Sequence, residues 1–186
     1  MITHDAKNGF NDMLKNCLSE SLKTESHAKW SIKTLSDLNA IKEKEIYVLT
    51  ISSYFFRVVL VLHFTNNAKT KSYVANALKV APENMEQNRY YDFLGEIGNA
   101  FCGVYKRELG HYFPHLGMST PNLLVSDTIQ HLQEWSHEHE GFFEAKADDD
   151  TKFSASIFVS SYADVNFKYS SKSIDEDVET GALEFF

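Results

Sequence analysis

The residues best suited to chemistry lie in one stretch of the sequence, from Asp92 to Gly103, which reads DFLGEIGNAFCG. On a helix that turns about 100° per residue, its apolar residues share one side. They are Leu94, Ile97, Phe101 and Val104. The opposite side carries a narrow stripe, which consists of Asp92, Glu96, Asn99, Gly103 and Lys106. The spacing therefore predicts a helix that presents a carboxylate and an amide, one turn apart, to solvent.

The composition of this helix favours a working surface. Gly95, Gly98, Asn99 and Gly103 are poor helix formers, and each costs about 0.5 to 1 kcal/mol relative to alanine. Small residues around Glu96 and Asn99 would let these two side chains reach into a pocket of another protein. The alternative is that both are simply exposed polar residues, because the spacing E-x-x-N is common.

Hydrophobic periodicity predicts the elements that position this helix. Helices are expected at about Asn8 to Leu22, Thr70 to Leu78 and Asn88 to Leu109, and strands at Ile46 to Ser52, Phe56 to Thr65, Pro121 to Ser126, Gly141 to Ala147 and Lys152 to Ser161. The first two strands, and also the last two, should form antiparallel pairs. The last pair would be joined by an acidic turn at Asp148 to Asp150, and Thr128 to His139 fits neither state clearly.

The length of 186 residues and the 43% hydrophobic content fit one domain, predicted here as residues 1–169. Residues 170–186 are rich in Ser, Asp and Glu and read as a mobile acidic tail. The apolar end of this tail, Ala182 to Phe186, could fold back on its own sheet or dock in a partner's groove.

Charge and composition exclude several classes of partner. The formal net charge of -8 and the scattered arrangement of the 18 Lys and Arg residues argue against nucleic acid and anionic membranes. The longest apolar run, Val58 to Leu62, is too short to span a bilayer, so a cytoplasmic protein is expected. Cys17 and Cys102 lack metal-ligand spacing and should be reduced, buried thiols.

A histidine-rich stretch is the one candidate metal site, but we expect no metal there. His131, His137 and His139, with Glu138 or Glu140, could supply ligands, yet alternating His and Glu is more typical of a solvated loop. His111 and His115 are interpreted in the same way. Motifs of serine hydrolases, nucleotide hydrolases and dinucleotide enzymes are missing from the sequence.

The stripe residues resemble the signature of the CheC/CheX/FliY phosphatases, in which an Asp or Ser, a Glu, an Asn and a later Pro follow a fixed spacing. Asp92, Glu96, Asn99 and Pro121 fit this signature, and the runs GEIGN and STPN are also similar. The resemblance covers about Glu45 to Ser161. The first predicted helix has no E-x-x-N, which favours the CheX branch over two-motif CheC proteins.

The resemblance implies an α/β fold of the α+β kind, in which an antiparallel-rich sheet packs against two long helices in a pseudo-two-fold arrangement. It implies a hydrolase for the aspartyl phosphate of a CheY-like response regulator, with Asn99 placing the attacking water and Glu96 pairing with the receiver's lysine. Asp92, Gly95, Gly103 and Lys106 would line the binding surface. The chain would bind no cofactor, because the Mg²⁺ belongs to the receiver domain.

The resemblance also implies a homodimer joined through sheet edges. A second hypothesis keeps the fold without the catalysis. In that case the chain is a binding module that docks a receiver domain or a flagellar-switch component.

Overall fold

The computed structural model describes residues 1–27, 29–133 and 136–170. The helices are α1 (His4–Ser21), α2 (Ala68–Leu78), α3 (Gln87–Gly110) and the short α4 (Gln130–Gln133). The strands are β1 (Ser31–Thr34), β2 (Glu45–Ser52), β3 (Phe56–Phe64), β4 (Gly117–Met118), β5 (Asn122–Val125), β6 (His139–Lys146) and β7 (Lys152–Ser161). The predicted long elements are therefore confirmed, with their bounds shifted by a few residues.

The seven strands form one antiparallel sheet in the order β1-β6-β7-β3-β2, and β4 and β5 both pair with the outer edge of β2. The two hairpins, β2–β3 and β6–β7, meet at the sheet centre through β3 and β7. β1, which follows α1, pairs with the second hairpin, β6–β7. β4 and β5, which follow α3, pair with the first hairpin, β2–β3. This exchange gives the predicted pseudo-two-fold arrangement.

The helices α1, α2 and α3 lie on one face of the sheet, where they form the main core with β2, β3, β6 and β7. α1 begins at His4 because the side chain of Thr3 accepts a hydrogen bond from the backbone of Ala6, an N-cap that extends the helix beyond the predicted start. α1 packs against α3, and the buried hydroxyl of Tyr105 donates to the carbonyl of Phe10 at 3.1 Å. The prediction of two long helices needs one amendment, because α2 is a third helix of 11 residues.

A smaller core covers the other face of the sheet. Val59 and Val61 of β3 pack there with Ile129 and with residues that follow β1. β3 is thus buried on both faces, as its sequence predicts. Its His63 also points to this face and contacts the Ser156 hydroxyl at 2.9 Å, and complete burial lowers the pKa of His63 to about 3.

The turn between β6 and β7 is acidic, as predicted, but one of its carboxylates has a structural role. Asp149 contacts the largely buried His27 at 3.0 Å and accepts a hydrogen bond from the backbone of Thr151 at 2.9 Å. Burial acts to raise the pKa of Asp149, but the hydrogen bonds from His27 and Thr151 outweigh it and lower the pKa to about 2. The turn is therefore tied to the segment after α1.

The cysteines are free and buried, as predicted. Burial raises the pKa of both Cys17 and Cys102 to about 12, which leaves them as neutral thiols. No helix in the described part of the chain is long and apolar enough to cross a bilayer. The predicted tail from residue 171 onward lies outside the described residues.

Candidate functional site

The helix α3 separates an apolar face from a polar one, as the sequence predicts. Leu94 and Phe101 are completely buried, and Ile97 is 7% exposed. Glu96 is exposed and Asn99 is half-buried on the opposite side. Of the remaining residues of the stripe, Asp92 is exposed, and Gly103 and Lys106 are partly exposed. The stripe therefore faces solvent and is open to a partner.

The two central side chains of the stripe are not engaged within the fold. In residues 1–27, 29–133 and 136–170, no hydrogen bond or ion pair joins the side chain of Glu96 or Asn99 to another side chain or to the backbone. Their backbone sits on a helix of 24 residues whose other face is held in the core. The carboxylate and the amide are thus carried on a rigid support while their polar groups stay available for a partner.

The glycines of α3 do not all serve the outward surface, which corrects the reason given for them from sequence. A Cβ built on Gly95 or Gly98 would contact Tyr47 of β2, at 3.5 and 3.6 Å respectively. These two glycines therefore face the sheet rather than solvent, at distances where a methyl group would make ordinary van der Waals contact. Gly103 differs, because a Cβ built there has nothing within 4 Å. Gly103 alone of the three leaves open space at the surface.

A hydrogen-bonded chain of polar residues fastens the first half of α3 to β2, and sequence reasoning missed it. The Tyr47 hydroxyl donates to the carbonyl of Tyr91 at 2.7 Å. The Tyr91 hydroxyl donates to the Glu45 carboxylate at 2.5 Å, and the backbone of Asn66 donates to the same carboxylate at 2.9 Å. Burial and the nearby Asp92 raise the pKa of Tyr47 to about 12, so its hydroxyl stays a donor at neutral pH.

Pro121 lies where the chain enters β5, as the strand prediction requires. The preceding Ser119 is bound to Thr50 of β2 twice: its backbone N–H donates to the Thr50 carbonyl at 2.9 Å, and its hydroxyl accepts from the Thr50 N–H at 3.0 Å. Asn122 then pairs with Val48. A proline suits this position because the strand entrance needs no ladder donor.

A surface groove of about 400 Å³ begins at the C-terminal end of the stripe. Its lining includes the stripe residues Gly103 and Lys106, then Arg107, Gly110, Phe113, Pro114, His115, Leu116 and Met118. The groove therefore combines cationic and apolar groups within two turns of Asn99. Sequence reasoning placed Gly103 and Lys106 on the binding surface but did not identify the groove.

The histidines considered as metal ligands are dispersed among other contacts. His137 contacts Glu140 at 3.0 Å, and His139 contacts Asn11 of α1 at 2.9 Å. Burial, followed by the charges of Lys7 and His137, lowers the pKa of His139 to about 4. No group of three or more potential metal ligands lies together in the part of the chain that the structure describes.

Neither a model of a known protein family nor a curated protein sequence matches the chain. Solved structures do match. CheX from Vibrio vulnificus is 17% identical, with a TM-score of 0.60 over 83% of this chain and 99% of that one. CheX in the CheX–CheY–BeF3–Mg²⁺ complex from Borrelia burgdorferi is 11% identical, with a TM-score of 0.59 over 82% and 96% of the two chains.

The chain has a CheC/CheX-like fold. FliY from Thermotoga maritima shares it more distantly, with 14% identity and a TM-score of 0.50 over 86% of this chain and 91% of that one. Within this CheC/CheX-like fold, α3 is the helix that carries the E-x-x-N spacing of Glu96 and Asn99 on its outward face. The likeness concerns the fold alone, because the identities lie between 11% and 17%.

Proposed function

We propose that this chain is a CheX-like phosphatase that hydrolyses the aspartyl phosphate of a response-regulator receiver domain. The observation that carries the proposal is the presence of Glu96 and Asn99 on the outward face of α3, accessible and free of partners within the described fold. The CheC/CheX-like fold supports this reading, as does the similar CheX that was solved together with CheY, BeF3 and Mg²⁺. A CheY-like receiver domain is thus the proposed partner class.

The proposed reaction requires no covalent bond between this chain and the phosphoryl group. The Asn99 amide would orient a water molecule in line with the aspartyl oxygen–phosphorus bond, and Glu96 would pair with the receiver's lysine. As the water oxygen bonds to phosphorus, the bond to the aspartyl oxygen breaks, and inorganic phosphate and a free aspartate result. Mg²⁺ would be held by the receiver domain and would stabilise charge on the phosphoryl oxygens there.

The experiment follows the decay of the phosphoryl group on a CheY-type receiver domain that has been phosphorylated with acetyl phosphate and freed of the donor. The wild-type chain should accelerate the decay. Asn99→Ala should lower kcat by about 100-fold while the variant still binds, because only the placement of water is lost. Glu96→Ala should raise KM as well, because it removes a docking contact.

The matched control is Asn76→Ala, which makes the same change at an exposed position of α2. This variant should behave as wild type. If the wild-type chain binds the phosphorylated receiver without accelerating its decay, the phosphatase proposal is wrong. The chain would then be a non-catalytic binding module of the same fold.

Two further properties belong to the same proposal. Hydrolysis of a receiver's aspartyl phosphate implies a cytoplasmic location. A homodimer joined through a sheet edge is proposed because β5, which pairs only with β2 in the described part of the sheet, carries exposed apolar residues. These are Leu123, Leu124 and Val125, which are 44%, 42% and 60% exposed.

A further inference from the structure

The groove that extends the stripe carries two cations that the fold does not neutralise. In the described residues, neither Lys106 nor Arg107 forms an ion pair with a carboxylate, although the chain has a net charge of -8. Other lysines of the protein do pair with acids, for example Lys33 with Glu144 at 2.8 Å. The charge of the groove is thus opposite to that of the molecule as a whole, and it favours an acidic partner surface.

The far wall of the groove is apolar. Met118 of the short strand β4 is 37% exposed, and Leu116 is partly exposed beside the buried ring of Phe113. An acidic ligand without an apolar part would leave these side chains in water. The lining therefore suits a surface that offers both a carboxylate and an apolar side chain, which is typical of a protein partner.

The groove lies so near Asn99 that a protein partner bound there would reach it. Lys106 lies seven residues after Asn99, which corresponds to about 10 Å along a helix. A stable protein interface covers about 800 Å² on each partner, equivalent to a patch of roughly 16 Å radius. A protein seated on Glu96 and Asn99 would consequently also cover the groove.

We propose that the groove is a second contact surface for the phosphorylated receiver domain. It would receive an acidic side chain at Lys106 and Arg107 and an apolar side chain against Leu116 and Met118. This inference rests on the proposed function, and it adds the chemistry by which the chain would select among receiver domains. The selected domain presents an acidic and an apolar residue beside its phosphorylation site.

A segment of the chain itself is the competing occupant. The described chain ends at Ser170, whose backbone N–H donates to the Tyr112 hydroxyl at 3.3 Å, next to Phe113 of the groove. The segment that follows contains Asp175, Glu176 and Asp177. Its acidic residues could satisfy the same cations, so the experiment must separate the two occupants.

The experiment compares charge reversals in the full chain, with the phosphorylated receiver domain as substrate. Arg107→Glu should raise KM about tenfold, with a smaller change in kcat, because it repels an acidic contact away from the reacting atoms. Met118→Gln should raise KM several-fold by removing apolar contact. The control Lys71→Glu reverses a charge on the exposed side of α2 and should leave KM unchanged.

The outcomes separate the inference from the function on which it rests. If the wild-type chain accelerates dephosphorylation but Arg107→Glu has the same KM as Lys71→Glu, the groove inference is wrong and the phosphatase proposal stands. If neither the wild-type chain nor a variant accelerates dephosphorylation, the phosphatase proposal fails. Weaker receiver binding by Arg107→Glu than by Lys71→Glu would still support the groove inference.

A full chain with Asp175→Asn, Glu176→Gln and Asp177→Asn should keep the wild-type KM. If Arg107→Glu no longer raises KM when it is added to that variant, the acidic segment is the occupant of the groove and the inference is overturned.

Discussion

At the scale of single residues, Gly103 is the position where stability and function oppose each other. A Cβ built there meets nothing within 4 Å, so Gly103→Ala should raise the free energy of unfolding by about 0.5 to 1 kcal/mol through helix propensity alone. The added methyl group would also stand on the stripe, between Asn99 and the groove. We therefore expect higher stability in urea unfolding together with a higher KM for the receiver domain.

Gly141→Ala provides a contrast, because a Cβ there would collide with the Asn11 side chain and press on Phe143. That variant should be less stable than wild type. A Gly103→Ala protein that is less stable than wild type would show that the surroundings of Gly103 are not open. An unchanged KM in Gly103→Ala would show that the partner does not approach this point closely.

His63 gives the fold a stability that depends on pH. Burial lowers its pKa to about 3 in the folded state, against about 6.5 in an unfolded chain, so the unfolded state takes up a proton first on acidification. The stabilisation is complete above pH 6.5 and is lost as the pH falls toward 3. Between pH 7 and pH 5 this amounts to about 2 kcal/mol.

Urea unfolding at the two pH values measures this loss. The variant His63→Gln should lose about 2 kcal/mol less than wild type between pH 7 and pH 5, whatever its own stability at pH 7. His139, with a pKa lowered to about 4, should contribute in the same direction in both proteins. The same loss in wild type and in His63→Gln would contradict this assignment.

At the scale of secondary structure, the sequence predicted the long elements and the short strand β5, but it missed the strands β1 and β4. α3 and β3 are long enough for an apolar face or a continuous apolar run to stand out. β1 has four largely accessible residues, and β4 has two exposed ones, so neither carries an alternating pattern. Their conformation is set by pairing with β6 and β2, residues far away in the sequence.

The stripe and the glycines of α3 show where site prediction succeeded and where it failed. The exposure of Glu96 and Asn99 follows from helical spacing, which the sequence contains. The contacts of Gly95 and Gly98 depend on Tyr47, which lies on a strand more than 40 residues earlier, and no local pattern links them. The local composition showed an unusual density of glycines. The reason inferred from it, close approach of a partner, does not hold for Gly95 and Gly98, which face the sheet.

The contact between α3 and β2 determines how firmly the first half of the stripe is held. Tyr47→Phe keeps the ring that packs on Gly95 and removes the hydrogen bond to the Tyr91 carbonyl. We expect a loss of about 1 kcal/mol in the free energy of unfolding, together with a lower kcat, because the first half of the stripe would be held less firmly. The control is Tyr54→Phe, whose ring is 66% exposed on the β2–β3 turn and which should change neither quantity. A Tyr47→Phe protein with wild-type stability would show that the hydrogen bond does not fasten the helix.

At the scale of the whole molecule, β3 and β7 join the two halves of the sheet, and each half also contributes an edge strand to the other. β1 follows α1 but pairs with β6, and β5 follows α3 but pairs with β2. These two strands are only four residues long. This explains why the sequence predicts the two hairpins but not the pairing of β1 and β5, for which the resemblance implied only a pseudo-two-fold arrangement. It also leaves β1 and β5 as the two outer strands of the described sheet.

The edge at β5 is the surface that should join two copies of the chain. Its backbone groups on the side away from β2 can pair with a second strand, and its apolar side chains would leave water on association.

Changing both Leu123 and Val125 to Lys puts like charges along this edge and should convert a dimer to a monomer in sedimentation experiments. The two side chains are exposed, so folding should be preserved, as far-ultraviolet circular dichroism can verify. Tyr54→Lys replaces an aromatic side chain that is 66% exposed on the β2–β3 turn, and it should leave the dimer intact. A wild-type chain that sediments as a monomer at high concentration, or a dimer that survives the double change, would exclude this edge as the interface.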